Sequence, residues 1–415
     1  MSLAKTTAMS LTVTVFKMLS ALFVNKAIAV FIGPSGLAAI GQFQNFIQLA
    51  MTLGQGGINA GVTKYTSEYA NEDSKLQSLL STALIISFSC SVCVGLCLIF
   101  LSDYLSSYLL DNAKYSYIFF IFGFTLIFFV FNSILLSILN GLKETVFWFK
   151  INIIQSFLSV FLTTLLIYLF ALDGAFIALV VNQSVVFFIL FLLLRGHPII
   201  KFKSILNGVD KLFVNKLAKF SFAALTSALI VPFSHIFIRD YIITQLGVDE
   251  AGYWQGIWYI SSMYLMVITS TLSVYYLPKL SEVKDKLLLR YEIRKGLSIF
   301  IPIASLMAIL VYFCKDLIIS ILFTEQFLPM GELFMWQMVG DVLKIASWFF
   351  GYLMLAKARM KTFMICEIMF SFLFIFLSIN FIDNFGLIGI TYAYTLNYLL
   401  YLIFSFFITK KEFSI

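Results

Sequence analysis

Lys17, Lys26, Asp341 and Lys344 are charged side chains set in stretches of sequence that are otherwise apolar. A charge at the centre of a hydrocarbon layer costs about 2.5–3.5 kcal/mol or more, so a chain retains one for a partner or a ligand. Buried ammonium groups that outnumber their carboxylates suit an anion. Asp341 and Lys344, three residues apart on one helical face, read either as an intrahelical ion pair or as a paired site that opens to a ligand. Lys17 and Lys26 fall on opposite faces of one helix. Lys17, nearer the middle, is the better cation for a cavity, and Lys26 snorkels outward or meets a neighbouring helix.

A second pattern is polar and uncharged. Gln44, Asn45, Gln48, Thr52, Gln55 and Asn59 recur at intervals of three and four, one face of a helix. Such a face is the wall of a cavity for a polyhydroxylated ligand, or a helix–helix seam assisted by Gly54, Gly56, Gly57 and Gly61. An offset of 214 residues pairs Gly33 with Gly247 and Ser67-Glu68 with Ser281-Glu282, a weak internal repeat. The same offset carries the stripe to Trp258, Ser262, Met266, Thr269 and Ser273, with Gln255 and Tyr259 nearby. Trp258 is placed either to stack on a sugar or in an interfacial aromatic belt. Pro232, His235, Arg239 and Asp240 form a cluster at the outer end of their helix, a kink with an interfacial ion pair or a gate for an anionic head group. Glu367 either snorkels or carries a proton.

No catalytic constellation accompanies these residues. The chain has 2 histidines, far apart, and no glycine loop of the phosphate-binding type. Cys90, Cys93 and Cys97 share a helical face without a histidine and read as small packing residues, not a metal site. Catalysis, a cofactor and nucleic-acid binding are not expected.

The elements that position these side chains are transmembrane helices. Of 415 residues, 61% are hydrophobic and only 12% charged, with mean hydropathy +0.98. A soluble domain carries about 25% charged residues. Apolar runs of about 20 residues occur at 9–32, 37–60, 76–101, 115–140, 147–170, 174–194, 215–239, 251–277, 295–313, 331–356, 360–382 and 386–408. The expectation is an all-α polytopic bundle of twelve spans in two six-helix lobes, 1–208 with the following cytoplasmic loop and 209–415. The repeat relates the lobes by a pseudo-two-fold axis along the membrane normal. Of 28 lysines and arginines, 22 fall in the terminal segments and loops of one side, against Lys114, Arg239 and Lys315 on the other. Both termini are therefore expected in the cytoplasm. The outer loops are too short for a soluble domain.

The stretches 33–69 (GPSGLAAIGQFQNFIQLAMTLGQGGINAGVTKYTSEY), 273–282 (SVYYLPKLSE) and 334–358 (FMWQMVGDVLKIASWFFGYLMLAKA) closely resemble the Wzx-type flippases. These form the polysaccharide-transporter branch of the MATE-like (MOP) exporter superfamily. The resemblance implies a central cationic cavity with alternating access. The implied substrate is an undecaprenyl-pyrophosphate-linked O-antigen repeat unit, moved across a bacterial inner membrane to the periplasmic leaflet. The polysaccharide polymerase and chain-length regulator of the pathway are the implied partners, and protons or sodium ions the implied coupling ions. Lys17, Lys26, Lys64, Arg239, Asp341 and Lys344 fall where the family pattern has the same residue types. The lipid III (enterobacterial common antigen) flippase places an arginine near Asn45. Here the neutral FQNF is closer to the O-antigen translocases. A cation-coupled drug exporter is the further alternative, although three deep lysines suit cationic drugs poorly.

Overall fold

The computed structural model describes residues 3–142, 144–194, 208–272, 276, 279–280, 283, 285–357 and 359–413. Among them there are helices and no strands. In chain order the α-helices are Leu3–Phe31, Gly33–Gly54, Asn59–Glu68, Asp73–Phe100, Ser102–Leu110, Ser116–Gly141 and Thr145–Leu194, then Lys211–Gln245, Val248–Thr271, Lys286–Phe313, Lys315–Leu322, Phe334–Ala356, Met360–Phe385 and Ile388–Phe413. Among the described residues, 8 helices are long and apolar enough to cross a membrane. Gly33–Gly54 and Val248–Thr271, which carry the amide stripe and its offset counterpart, are not among the eight. Every expected span nonetheless has a helical counterpart, and the protein is an all-α, multi-pass membrane protein. Cys93 and Cys97, expected to pack inside, are exposed.

Two expectations about span boundaries change. The segments 147–170 and 174–194 run together as Thr145–Leu194, with non-helical backbone at Ala171 (φ 46°, ψ −122°). The chain folds back there, since Asn182 donates to Ser159 across the hairpin at 2.5 Å. The segment 37–60 is interrupted instead of continuous. Gly56 and Gly57 both take φ +65°, the left-handed region that ends helices because it breaks the i→i−4 ladder. A new helix starts at Asn59.

The chain divides into two compact units, Met1–Phe31 with Gln42–Phe233, and Ile32–Gly41 with Ser234–Ile415. In the first, Ser116–Gly141 is the central helix, packed against Asn59–Glu68, Asp73–Phe100 and Thr145–Leu194. Its buried Phe119, Phe122, Leu126, Val130 and Ile134 form one apolar stripe at helical spacing. In the second, Phe334–Ala356 is central, packed against Val248–Thr271, Lys286–Phe313 and Ile388–Phe413. Its apolar window is 67% buried, against 17% for Lys286–Phe313, so anything polar on it must be satisfied internally. Gly33 and Gly247, matched by the 214-residue offset, both have positive φ (82° and 115°) and each stands where a helix begins. Ser281 and Glu282 lie outside the described residues.

The break in the polar helix gives a test. A Cβ at Gly57 would stand 3.0 Å from the Ser221 carbonyl oxygen, whereas at Gly56 its first neighbour is the Cys90 sulfur at 3.4 Å. Both substitutions force an L-residue into left-handed backbone, costing about 1–2 kcal/mol. Gly57→Ala adds the clash with backbone. Gly57→Ala should therefore lower the thermal midpoint of the purified protein more than Gly56→Ala; equal midpoints would show that the Ser221 contact is not confining.

Candidate functional site

The second unit buries three charges of the polar set. Asp341 is fully buried, 0% exposed. Its two carboxylate oxygens accept hydrogen bonds from Tyr264 (2.7 Å) and Tyr394 (2.7 Å), and Gln337 donates from 3.5 Å one turn away. Tyr264 is on Val248–Thr271 and Tyr394 on Ile388–Phe413, so two neighbouring helices converge on this one carboxylate.

Lys344 is treated differently. It is 8% exposed, and among the described residues it forms no ion pair with Asp341. Its ammonium lies over four rings instead, at 4.7 Å from Trp258, 5.1 Å from Trp348, 5.6 Å from Tyr394 and 5.3 Å from Tyr398. Each such face contributes about 0.5–2 kcal/mol, more as water is excluded. The rings hold the cation in place without cancelling its charge. The intrahelical ion pair, one of the two readings of this spacing, is therefore not formed: the tyrosine hydroxyls occupy the carboxylate, and aromatic faces occupy the ammonium.

Arg239 extends this buried cluster. It was expected in an outer interfacial cluster, yet it is 1% exposed. Lys211–Gln245 continues past Asp240 and keeps Arg239 within the packed part of the helix. Its guanidinium stacks 5.2 Å from Trp254 and donates to the Gln255 side-chain oxygen. One turn earlier, His235 stacks on Trp254 at 5.2 Å and meets Trp258 edge-on at 4.2 Å. Trp258 thus touches both the histidine and Lys344. Glu367 accepts from Tyr401 at 2.9 Å, and Tyr401 stacks on Phe370 at 4.7 Å.

The first unit holds the remaining residues in other surroundings. Lys17 is exposed, 5.9 Å from the Trp148 ring; Lys26 is half-buried. The helix break divides the amide stripe. Gln44 and Asn45 are half-buried and Gln48 exposed. Asn59 donates to Gln55 and to Ser133 at 2.7 Å each, and Thr63 donates to the Ser137 carbonyl at 3.1 Å. The lower part of the stripe is thus a seam with Ser116–Gly141.

Beside it, Lys64 lies over Tyr65 (5.1 Å) and Phe220 (5.3 Å). Lys216 donates to the Tyr69 hydroxyl and lies 5.2 Å from Tyr65 and 4.8 Å from Tyr69. Lys75 covers Tyr69 at 5.4 Å while pairing with Glu72 at 2.7 Å. These three lysines share one aromatic platform, a surface able to receive an anion. In the second unit Lys279 is ion-paired with Glu292 at 2.7 Å.

Sequence reasoning missed Tyr264, Trp348, Tyr394, Tyr398 and Tyr401. A signal existed for three of them, since Tyr394, Tyr398 and Tyr401 recur at spacings of four and three on one face. Hydrogen bonds to a charged group are worth about 1.5–3 kcal/mol. Tyr264→Phe and Tyr394→Phe should each lower stability by about that amount, read as the thermal midpoint, and the double variant by more than the sum. Unchanged midpoints in both single variants would show that the hydroxyls do not hold Asp341.

A family model described as "Polysaccharide biosynthesis protein" matches residues 27–332. The Lipid III flippase of Escherichia coli is 29% identical over 402 residues, which cover 97% of this chain and 96% of that protein. The fold is similar to an inward-facing multidrug resistance MATE family transporter of the MOP superfamily, with TM-score 0.77, 14% identity and 95% of each chain covered. It is also similar to a MOP superfamily transporter from Pyrococcus furiosus, described as having a binding pocket of reverse polarity. That likeness has TM-score 0.68 and 15% identity, and covers 97% of this chain and 95% of that one. The structural likenesses carry the MATE-like fold. Because the family model spans well over half of the sequence, the chain belongs to the polysaccharide biosynthesis protein family.

Proposed function

We propose that the protein is a flippase for an undecaprenyl-pyrophosphate-linked oligosaccharide, moving it from the cytoplasmic to the periplasmic leaflet of a bacterial inner membrane by alternating access. The observation that carries this reading is the Lys344 ammonium, buried on a membrane helix among four aromatic faces and, among the described residues, in no direct ion pair. A cation held that way keeps its charge for an incoming phosphate oxygen. Taking an unpaired pyrophosphate into hydrocarbon costs many kcal/mol, and such a group offsets part of that cost. Family membership and the full-length similarity to lipid III flippases support the same substrate class.

The remaining sites take subordinate roles. Lys64, with Lys216 and Lys75 around it, receives the pyrophosphate first at the cytoplasmic face. Lys17 and Lys26 supply further positive charge, and Arg239 supports Trp258 through Trp254 and His235. Gln44, Asn45 and Gln48 offer amides to the glycan in the first unit, where Gln55 and Asn59 set the seam beneath them, and Trp258 offers a ring face to it in the second. In this reading both termini are cytoplasmic, no covalent chemistry occurs, and a proton or sodium gradient drives transport. The pathway's polymerase and chain-length regulator are the protein partners.

The neutral FQNF stretch favours an O-antigen repeat unit. The second reading is lipid III itself, favoured by the E. coli relative's name over nearly the whole chain. Two strains separate them, one lacking its O-antigen flippase and one lacking its lipid III flippase. The expected outcome is restored long-chain O-antigen in the first; restored common antigen in the second alone selects lipid III. Restoration in neither, with the protein present in the membrane, would defeat the proposal. Lys344→Ala should reduce whichever polysaccharide is restored at least tenfold at unchanged protein level, and a normal amount would remove Lys344 from the site.

A further inference from the structure

Met360–Phe385 and Ile388–Phe413 enclose a groove of about 740 Å³ on the second unit. Its walls are apolar, with Met369 and Leu373 on one helix and Leu400, Ile403 and Phe407 on the other. The buried Phe370 forms its floor, with the exposed Phe404 5.6 Å away edge to face. One end is different. Arg359 and Thr362 begin the first helix, Lys411 ends the second, and all three line the groove. From Thr362 to Leu373 the helix rises about 16 Å, roughly half of the ~30 Å hydrocarbon core. The groove is therefore one leaflet deep, with its cations where that leaflet meets water. Under the positive-inside rule this is the cytoplasmic leaflet, because Lys357, Lys361 and Lys410 crowd the same end.

The charges at the mouth narrow the choice of occupant. Arg359 donates to the Ile408 carbonyl at 3.1 Å and pairs with Glu412 at 3.3 Å, its side chain 34% exposed. Lys411 is exposed. Glu412 offsets Arg359 and leaves Lys411, and Lys357, Lys361 and Lys410 add positive charge at the same end, so the mouth is cationic and suits the negative charge of a phosphodiester. A polyprenyl tail would far outrun a groove one leaflet deep.

We propose that this groove binds an anionic phospholipid of the cytoplasmic leaflet, with one acyl chain between the two helices and the phosphodiester at Lys411 and Arg359. Basic pockets between transmembrane helices on the cytoplasmic side are known to take such head groups. The floor connects the site to the interior, since Phe370 stacks on Tyr401, which donates to Glu367. Lipid filling the groove supports that buried contact from outside.

The test is lipid retention by the full chain, purified in detergent, mixed with equal amounts of phosphatidylglycerol and phosphatidylethanolamine and examined by native mass spectrometry. Phosphatidylglycerol should be retained roughly fivefold over phosphatidylethanolamine, the equivalent of about 1 kcal/mol for one basic residue at a membrane surface. Lys411→Glu should abolish that preference. Leu373→Trp, which fills the groove without touching the charges, should lower retention of both lipids. Equal retention of the two lipids by the natural sequence would overturn the proposal, as would an unchanged preference in Lys411→Glu. Displacement of phosphatidylglycerol by an equal amount of undecaprenyl phosphate would also overturn it, in favour of the carrier.

Discussion

Charge in a place with almost no water sets the terms for the second unit, and the unit meets them with aromatic side chains. Asp341 is held by two phenols, Lys344 by four ring faces, and Arg239 by an indole face and an amide oxygen. A directly paired Asp341 and Lys344 would have been the simpler arrangement, but a tight ion pair leaves no net charge for anything else. Separating them requires donors for the carboxylate and polarisable surfaces for the ammonium, and these come from different helices. Phe334–Ala356 is therefore flanked by Val248–Thr271 and Ile388–Phe413, which supply these partners.

The first unit handles charge by leaving it near the surface. Lys17 and Lys64 are exposed, and each has its ammonium over an aromatic ring. Its half-buried positions hold uncharged polar groups, of which Asn59 and Thr63 bond to Ser133 and the Ser137 carbonyl. Polar contacts of this kind cost little in an apolar bundle because both partners are neutral and close.

Much of the fold was legible from hydropathy, since runs of about 20 apolar residues leave little choice but spanning helices. What failed depended on local backbone or on distant partners. Gly56 and Gly57 were visible in the sequence but read as small residues at a seam, when their left-handed backbone ends a helix. The apolar run placed the end of that span at Arg239. The helix runs on because Trp254 and Gln255, on the next helix, receive the guanidinium. The spacing of Asp341 and Lys344 gave their common face correctly. It could not reveal that Tyr264 and Tyr394 satisfy the carboxylate, because those residues are 77 and 53 positions away.

The setting of Lys344 also has an optical consequence. Of the 5 tryptophans in the chain, Trp258 and Trp348 lie 4.7 Å and 5.1 Å from its ammonium, and Trp254 joins the same cluster through His235. Indole emission is sensitive to a neighbouring positive charge. Any phosphate that draws the ammonium away from these rings alters the protein's own ultraviolet fluorescence, so the site carries a built-in reporter of its occupancy and needs no attached dye.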